Sequence, residues 1–323
     1  VKQVFQQIIR KIDQLIERAK RFFLLILAQS RRIRLPLFDG LSLYDVLSFF
    51  VKGIIEGAVS TRAGSISFSF FMALFPAVIF LFTLIPYIPI DGFQEDIFAL
   101  LKAVMPHNSY ELAESTIVDI VSIKRSDLLW ITLLSTLIFA TNGTLSLISN
   151  FSTSFHKINF RGFWGQYLSA IVLTIVLSFL LIISIALLSL GESFFDWLVT
   201  KGYLERFAAD LFQIARTIFL VFIILLSISL LYNYGPIKGK HWRFLSPGSI
   251  LATILIILSS LAFSYYVSNF AQYNKLYGSI GTLLVIMLWI YINAIGLIIG
   301  FELNASVAGA KLSQEEKQLE LEI

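Results

Sequence analysis

Six stretches of this chain carry no charged residue, and each is longer than a bilayer needs. They cover residues 63–90, 128–155, 162–191, 217–237, 244–274 and 276–301. A helix requires about 20 apolar residues to cross ~30 Å of hydrocarbon, because each residue advances it by about 1.5 Å. Transmembrane strands would instead alternate over roughly ten residues, and these runs do not alternate. The prediction is an all-α, polytopic membrane protein with six transmembrane helices. The spans are expected near 66–90, 128–150, 164–190, 212–233, 247–270 and 279–303.

Composition agrees. Charged residues make up 14% of the chain and hydrophobic ones 57%, whereas a soluble domain carries about 25% charged residues. So much apolar surface cannot be hidden in one water-soluble core. There are no cysteines, which excludes disulfides, thiolate metal sites and cysteine nucleophiles. Of the 25 Lys and Arg residues, 18 fall before the first span, in the 2–3 and 4–5 loops and in the C-terminal tail. Positive residues favour the cytoplasmic side, so both termini are predicted to be cytoplasmic. The 1–2 loop carries seven acids against three bases, as expected outside.

The flanks divide the chain into three parts. Residues 1–61 read as basic amphipathic helices, cytoplasmic or interfacial. Val4, Ile8, Ile12 and Ile16 lie on one face and Arg10, Lys11, Arg18 and Arg21 on the other. Such a face is either simply solvated or lies on the anionic leaflet. A second helix over 43–55 is expected along the membrane. Residues 62–307 form the six-helix domain, and 308–323 an acidic cytoplasmic tail. The loop 91–127 is too long to be structureless. Together with 192–216 it is expected to carry external helices, acting as a lid or a packed cap.

Polar and helix-breaking residues inside the spans are the candidates for function. Pro76 removes a backbone donor in the membrane, giving either a packing kink or a break that lines a path. Asn142, Gly143 and Asn150 lie in span two. Ser169, Thr174, Ser178 and Ser184 in span three read as packing positions. Trp289, Asn293, Gly296, Gly300 and Asn304 recur every three or four residues and share one face of span six. Glycines on such a face let another helix approach. A buried amide such as Asn293 needs partners. Glu302, at the cytoplasmic end, is expected to be interfacial or to pair with a base such as Lys240 or Arg243. The segment 265–278 (YYVSNFAQYNKLYG) packs four tyrosines and two asparagines into 14 residues, which an interfacial aromatic belt explains. The candidate substrate-lining or bundle-interior positions are therefore Pro76, Asn142, Tyr266, Asn269, Tyr273, Asn274, Trp289, Asn293, Gly296 and Gly300.

At these residues a family resemblance emerges. The order YNYGP, WRFLSPGS, FSYYVSN and YNKLYGSIGTLLVIMLWIYINAIGLIIGFELNA closely resembles the YihY/virulence factor BrkB family. RAGSISFSFFMALFPAVIF and RGFWGQYLSAIVLT resemble its first and third spans. The resemblance runs from residue 62 to 307 and is strongest over 232–305. It implies a six-span protein of the bacterial inner membrane. The family once carried the label ribonuclease BN, now regarded as mistaken, and its members are usually called transporters with links to envelope lipid or export. It supplies no catalytic or substrate residues to carry over.

An enzyme is not expected. A metal nuclease needs clustered ligands, but His107, His156 and His241 fall on different loops, and no phosphate-binding or nucleophile motif occurs. No cofactor, metal or nucleic-acid partner is expected. The six runs contain no ionisable residue, which argues against ion-coupled pumping and suits an amphiphile whose tails need apolar walls. The reading is an inner-membrane transporter or translocation protein for an envelope lipid or other amphiphile, without its own ATPase. The alternative is a membrane scaffold that recruits envelope or cytoplasmic proteins through residues 1–61. Membrane lipids are partners in either case.

Overall fold

The computed structural model describes residues 38, 40–87, 98, 118–119, 121, 123–154, 160–189, 198–202, 206–237, 243–270 and 273–322. The side chains of 189, 206, 209, 268–270, 273–280, 282, 315–317 and 321–322 lie outside this description. So do the expected helices of residues 1–34, most of 91–127, residues 192–197 and 203–205 of the other external segment, and all three histidines.

Seven helices of useful length are described. Helix α1 is Leu43–Glu56, α2 Val59–Leu84, α3 Ser126–Phe151, α4 Phe163–Ser189, α5 Arg206–Tyr234, α6 Pro247–Phe270 and α7 Tyr273–Glu322. All but α1 are long and apolar enough to cross a membrane. Among the described residues there is no strand, only an isolated bridge between Phe160 and Ile237. The fold class is the one expected: an all-α bundle with six candidate membrane spans. Pro76 lies inside α2, which continues through it. At 1.5 Å per residue, α7 is about 75 Å long, far beyond the ~30 Å of hydrocarbon. The segment expected to be a separate acidic tail is thus a continuation of this helix up to Glu322.

Local chemistry fixes where these helices begin and turn. At α1, Ser42 accepts a hydrogen bond from the Asp45 backbone N–H at 3.1 Å and donates to the Asp45 carboxylate at 2.7 Å. At α6, Ser246 is the cap and Pro247 the first helical residue, where its missing N–H costs nothing. Ser246 Oγ accepts from the Ser249 N–H at 3.2 Å, and Ser249 Oγ accepts from the Ser246 N–H at 3.1 Å. This reciprocal pair satisfies two otherwise orphaned donors. Helices α1 and α2 meet at a sharp elbow, where Ala58 adopts a left-handed φ of 46°, a conformation that L-residues other than Gly, Asn and Asp rarely take.

The spans alternate in direction, so one end of the bundle gathers the starts of α2, α4 and α6, the ends of α3 and α5, and the middle of α7. We call this the basal end. The core concentrates there. Phe151 of α3 stacks on Phe301 of α7 at 4.6 Å between centroids, and Tyr232 of α5 meets both edge-on at 5.5 and 5.6 Å. The Tyr232 hydroxyl donates to the Leu297 carbonyl at 2.6 Å, so the polar tip of a fully buried ring is satisfied. A smaller cluster packs α1, through Val46, against Leu303 and Ala310 of α7. Its other face exposes Leu47, Val51 and Ile55.

Candidate functional site

Two polar regions stand out, and α2 contributes to both. The first is buried at the basal end. Arg62, in the first turn of α2, reaches Glu302 of α7: Nη1 lies 2.5 Å from Oε1, and the side chains are 6% and 0% exposed. The same nitrogen donates to the Gly57 carbonyl at 3.1 Å, tying down the elbow before α2. The other Glu302 oxygen accepts from Ser154, just beyond α3, at 2.9 Å. One carboxylate thereby joins α2, α3 and α7. Among the described residues, Nε and Nη2 of Arg62 have no hydrogen-bond partner. A pair taken out of water in this way specifies geometry more than it adds stability.

This pair corrects two expectations. Glu302 bonds to Arg62; Arg243 is exposed, and Lys240 lies outside the described residues. The membrane helices are also not free of buried ionisable groups. Arg62 immediately precedes the first charge-free run and Glu302 immediately follows the last, so runs ended at the first charge stop one residue short of each. The helices themselves do not stop there, because a charge with a buried partner need not end a helix.

The second region lies on the outside of the bundle. Asn142, Ser146, Ser149 and Asn150 recur on one face of α3, toward Ser65 of α2, and Thr153 follows just past the end of the helix. Asn150 Nδ2 donates to the Ser146 carbonyl at 2.8 Å and reaches Ser65 Oγ at 3.5 Å, and Ser146 Oγ lies 3.5 Å from the Ser65 carbonyl. Asn142 is exposed, and among the described residues it has no hydrogen-bond partner. From Asn142 to Thr153 the strip is about 16 Å long, so it climbs from the basal end to mid-membrane. Apolar side chains flank it, including exposed Phe68 and Ile138.

Beyond the strip the α2–α3 seam continues. Phe70 lies against Gly143, where a Cβ would sit 3.5 Å from the ring. Farther on, Thr83 and Thr132 place their hydroxyls 3.4 Å apart, and Tyr87 and Ser126 lie 3.2 Å apart at the far end. Polar groups thus mark both ends of the seam, with an aromatic contact between them. Pro76 of α2 lies in the same stretch, and having no N–H it leaves the Met72 carbonyl without its helical donor.

The other expected site residues scatter. Gly300 is a crossing point of α6 and α7: a Cβ there would lie 2.5 Å from the Gly248 carbonyl oxygen and 2.6 Å from the Tyr232 hydroxyl. Asn304 secures the crossing, accepting from the Gly248 N–H at 2.7 Å and donating to Ser246 at 2.8 Å. At Gly296 a Cβ would meet Leu255 at an ordinary 3.4 Å. Asn293 donates to the Trp289 carbonyl at 2.8 Å and accepts from Ser259 of α6 at 3.3 Å, so its amide is satisfied within the helix pair. Two expected interior positions are not interior: Trp289 is 39% exposed and leans on Phe263, and Asn142 is exposed. Among the described residues, neither is enclosed by its neighbours, although Phe263 of α6 touches Trp289. Tyr266 is half-buried beside Phe263. The side chains of Asn269, Tyr273 and Asn274 lie outside the described residues.

Asn142 and Asn150 stand out in the sequence, whereas Ser146 and Ser149 between them do not. The signal available was their spacing, which places the four on one helical face.

Six apolar helices tied by a buried charge pair, with a polar seam open on one flank, define a multi-pass membrane protein. The chain belongs to the Virulence factor BrkB family, whose model matches residues 50–321. It is 29% identical over 267 residues to YfkH of Bacillus subtilis (strain 168), a protein named ribonuclease-like, with 79% of this chain and 92% of that one covered. It is 24% identical over 282 residues to a UPF0761 membrane protein of Alteromonas mediterranea, covering 83% and 89% of the two chains. No solved structure matches it.

Proposed function

We propose that this protein is a non-catalytic translocation protein of the bacterial inner membrane. It carries a lipid or other amphiphile of the envelope along the α2–α3 seam, without an ATPase of its own. The observation that carries this reading is the exposed strip headed by Asn142. An amide left unpaired in hydrocarbon costs about 4–8 kcal/mol, so a polar occupant is called for. The headgroup of an amphiphile meets that need while its tails remain in lipid. The basal end is the cytoplasmic one, by the placing of Lys and Arg, and the strip then opens to the inner leaflet. The Phe70–Gly143 contact and Pro76 lie where a path through the seam would have to widen.

Purified protein in liposomes, with a tail-labelled fluorescent lipid quenched from outside by dithionite, tests this. Wild-type vesicles are expected to lose fluorescence beyond the outer-leaflet fraction, and Asn142→Leu with Asn150→Leu to slow that loss. Wild-type vesicles indistinguishable from protein-free ones would sink the proposal.

A further inference from the structure

Resting on that reading of the seam, we propose that its occupant is a lipid whose headgroup is hydroxylated and uncharged, the chemistry of a glycosyl lipid. The argument is the charge balance of the two helices that form the path. Helix α2 carries one charged residue, Arg62, and α3 carries one, Asp127 in its first turn. Arg62 points into the bundle and is held by Glu302. Asp127 sits at the end of α3 remote from the strip. Between them the seam offers only hydroxyls and amides: Ser65, Asn142, Ser146, Ser149, Asn150 and Thr153.

Those groups fit one class of headgroup better than another. A hydroxyl or an amide both donates and accepts. A sugar ring, whose every hydroxyl does the same, can pair with each of them in either sense. A phosphate can only accept, so it would leave the acceptor half of these hydroxyls and amides unpaired. Bringing an ion into such a site with no counter-charge costs several kcal/mol even after relaxation, whereas a hydrogen-bonded hydroxyl pays far less. Zwitterionic headgroups fall between, with two ions to desolvate. A strip evolved for phosphate would be expected to hold an Arg or Lys beside it, and among the described residues of α2 and α3 there is none on the exposed face.

The test compares two tail-labelled lipids in otherwise identical liposomes holding the full chain: glucosylceramide and phosphatidylglycerol. Glucosylceramide is expected to exchange at least about tenfold faster, which corresponds to roughly 1.4 kcal/mol in barrier. Asn142→Leu with Asn150→Leu should remove that advantage. The wild-type comparison stands alone, so the result does not depend on how well the variant folds. Phosphatidylglycerol exchanging as fast or faster would overturn the selectivity and leave translocation standing. No exchange of any lipid would overturn both. A wild-type dimer that the double variant converts to monomer would show the strip to be covered by a second copy of the chain, which would also overturn the proposal.

Discussion

The buried Arg62–Glu302 node, on α2 and α7, and the Asn142–Thr153 strip, on α3 beside α2, lie about a turn apart at the basal end, yet differ in every respect that matters to function. In the node both carboxylate oxygens are occupied by partners on other helices. In the strip the amide nearest mid-membrane has no partner among the described residues. A satisfied buried charge locks a structure. An unsatisfied amide on a lipid-facing surface waits for something to cover it. Polarity in a membrane helix is therefore not one signal but two, and accessibility separates them.

The sharpest way to break this contrast is at the node. Glu302→Ala leaves Arg62 buried without a counter-charge and should cost roughly 3–5 kcal/mol, read as a large fall in the unfolding midpoint in detergent. Replacing both partners, as Arg62→Met with Glu302→Met, should recover most of that loss. If the single variant is as stable as wild type, the node is not structural.

The α6–α7 crossing comes next. Gly300→Ala forces a methyl into the Gly248 backbone and should cost about 1–3 kcal/mol, while Gly296→Ala, meeting Leu255 and Ile256 at ordinary contact distances, should change the unfolding midpoint little. Equal effects at the two glycines would show that the helices do not cross as described.

At the strip, Asn142→Leu with Asn150→Leu should leave thermal stability unimpaired while slowing lipid exchange by about tenfold or more, roughly 1.4 kcal/mol in barrier. A loss of stability with exchange intact would turn the strip into packing and erase the comparison.

The smallest effect is expected at Asn293. Its bond to Ser259 joins two helices, and such bonds contribute about 1 kcal/mol or less. Asn293→Leu should lower stability slightly and leave lipid exchange unchanged. A collapse of exchange in a well-folded variant would move the functional centre to span six, the face that the sequence alone favours.

How much was legible depends on the range of each interaction. The stop at Tyr234 before Gly235 and Pro236 and the helix starting at Leu43 rest on residues within a few positions of one another, and the sequence shows them. The Gly300 crossing was half legible: small residues at helical spacing announce close packing, but not that Gly248, Ala252 and Tyr232 would be the atoms met. Asn293 looked more promising than Asn142 because it shared a face with a tryptophan and two glycines. Its partner Ser259 lies on another helix, and no spacing within span six reveals it.

The sequence by itself determined that the chain lives in a membrane as six helices, because hydropathy sums locally along the chain and a ~30 Å slab accepts few other solutions. Only the tertiary structure decided which polar groups are spent and which are free. Arg62 and Glu302 are 240 positions apart and become one feature when α2 and α7 pack. Asn142 differs from Asn293 in that, among the described residues, no side chain of another helix bonds to it. Whether a hydrogen-bonding group is satisfied depends on its neighbours in space, and those are set when the helices pack.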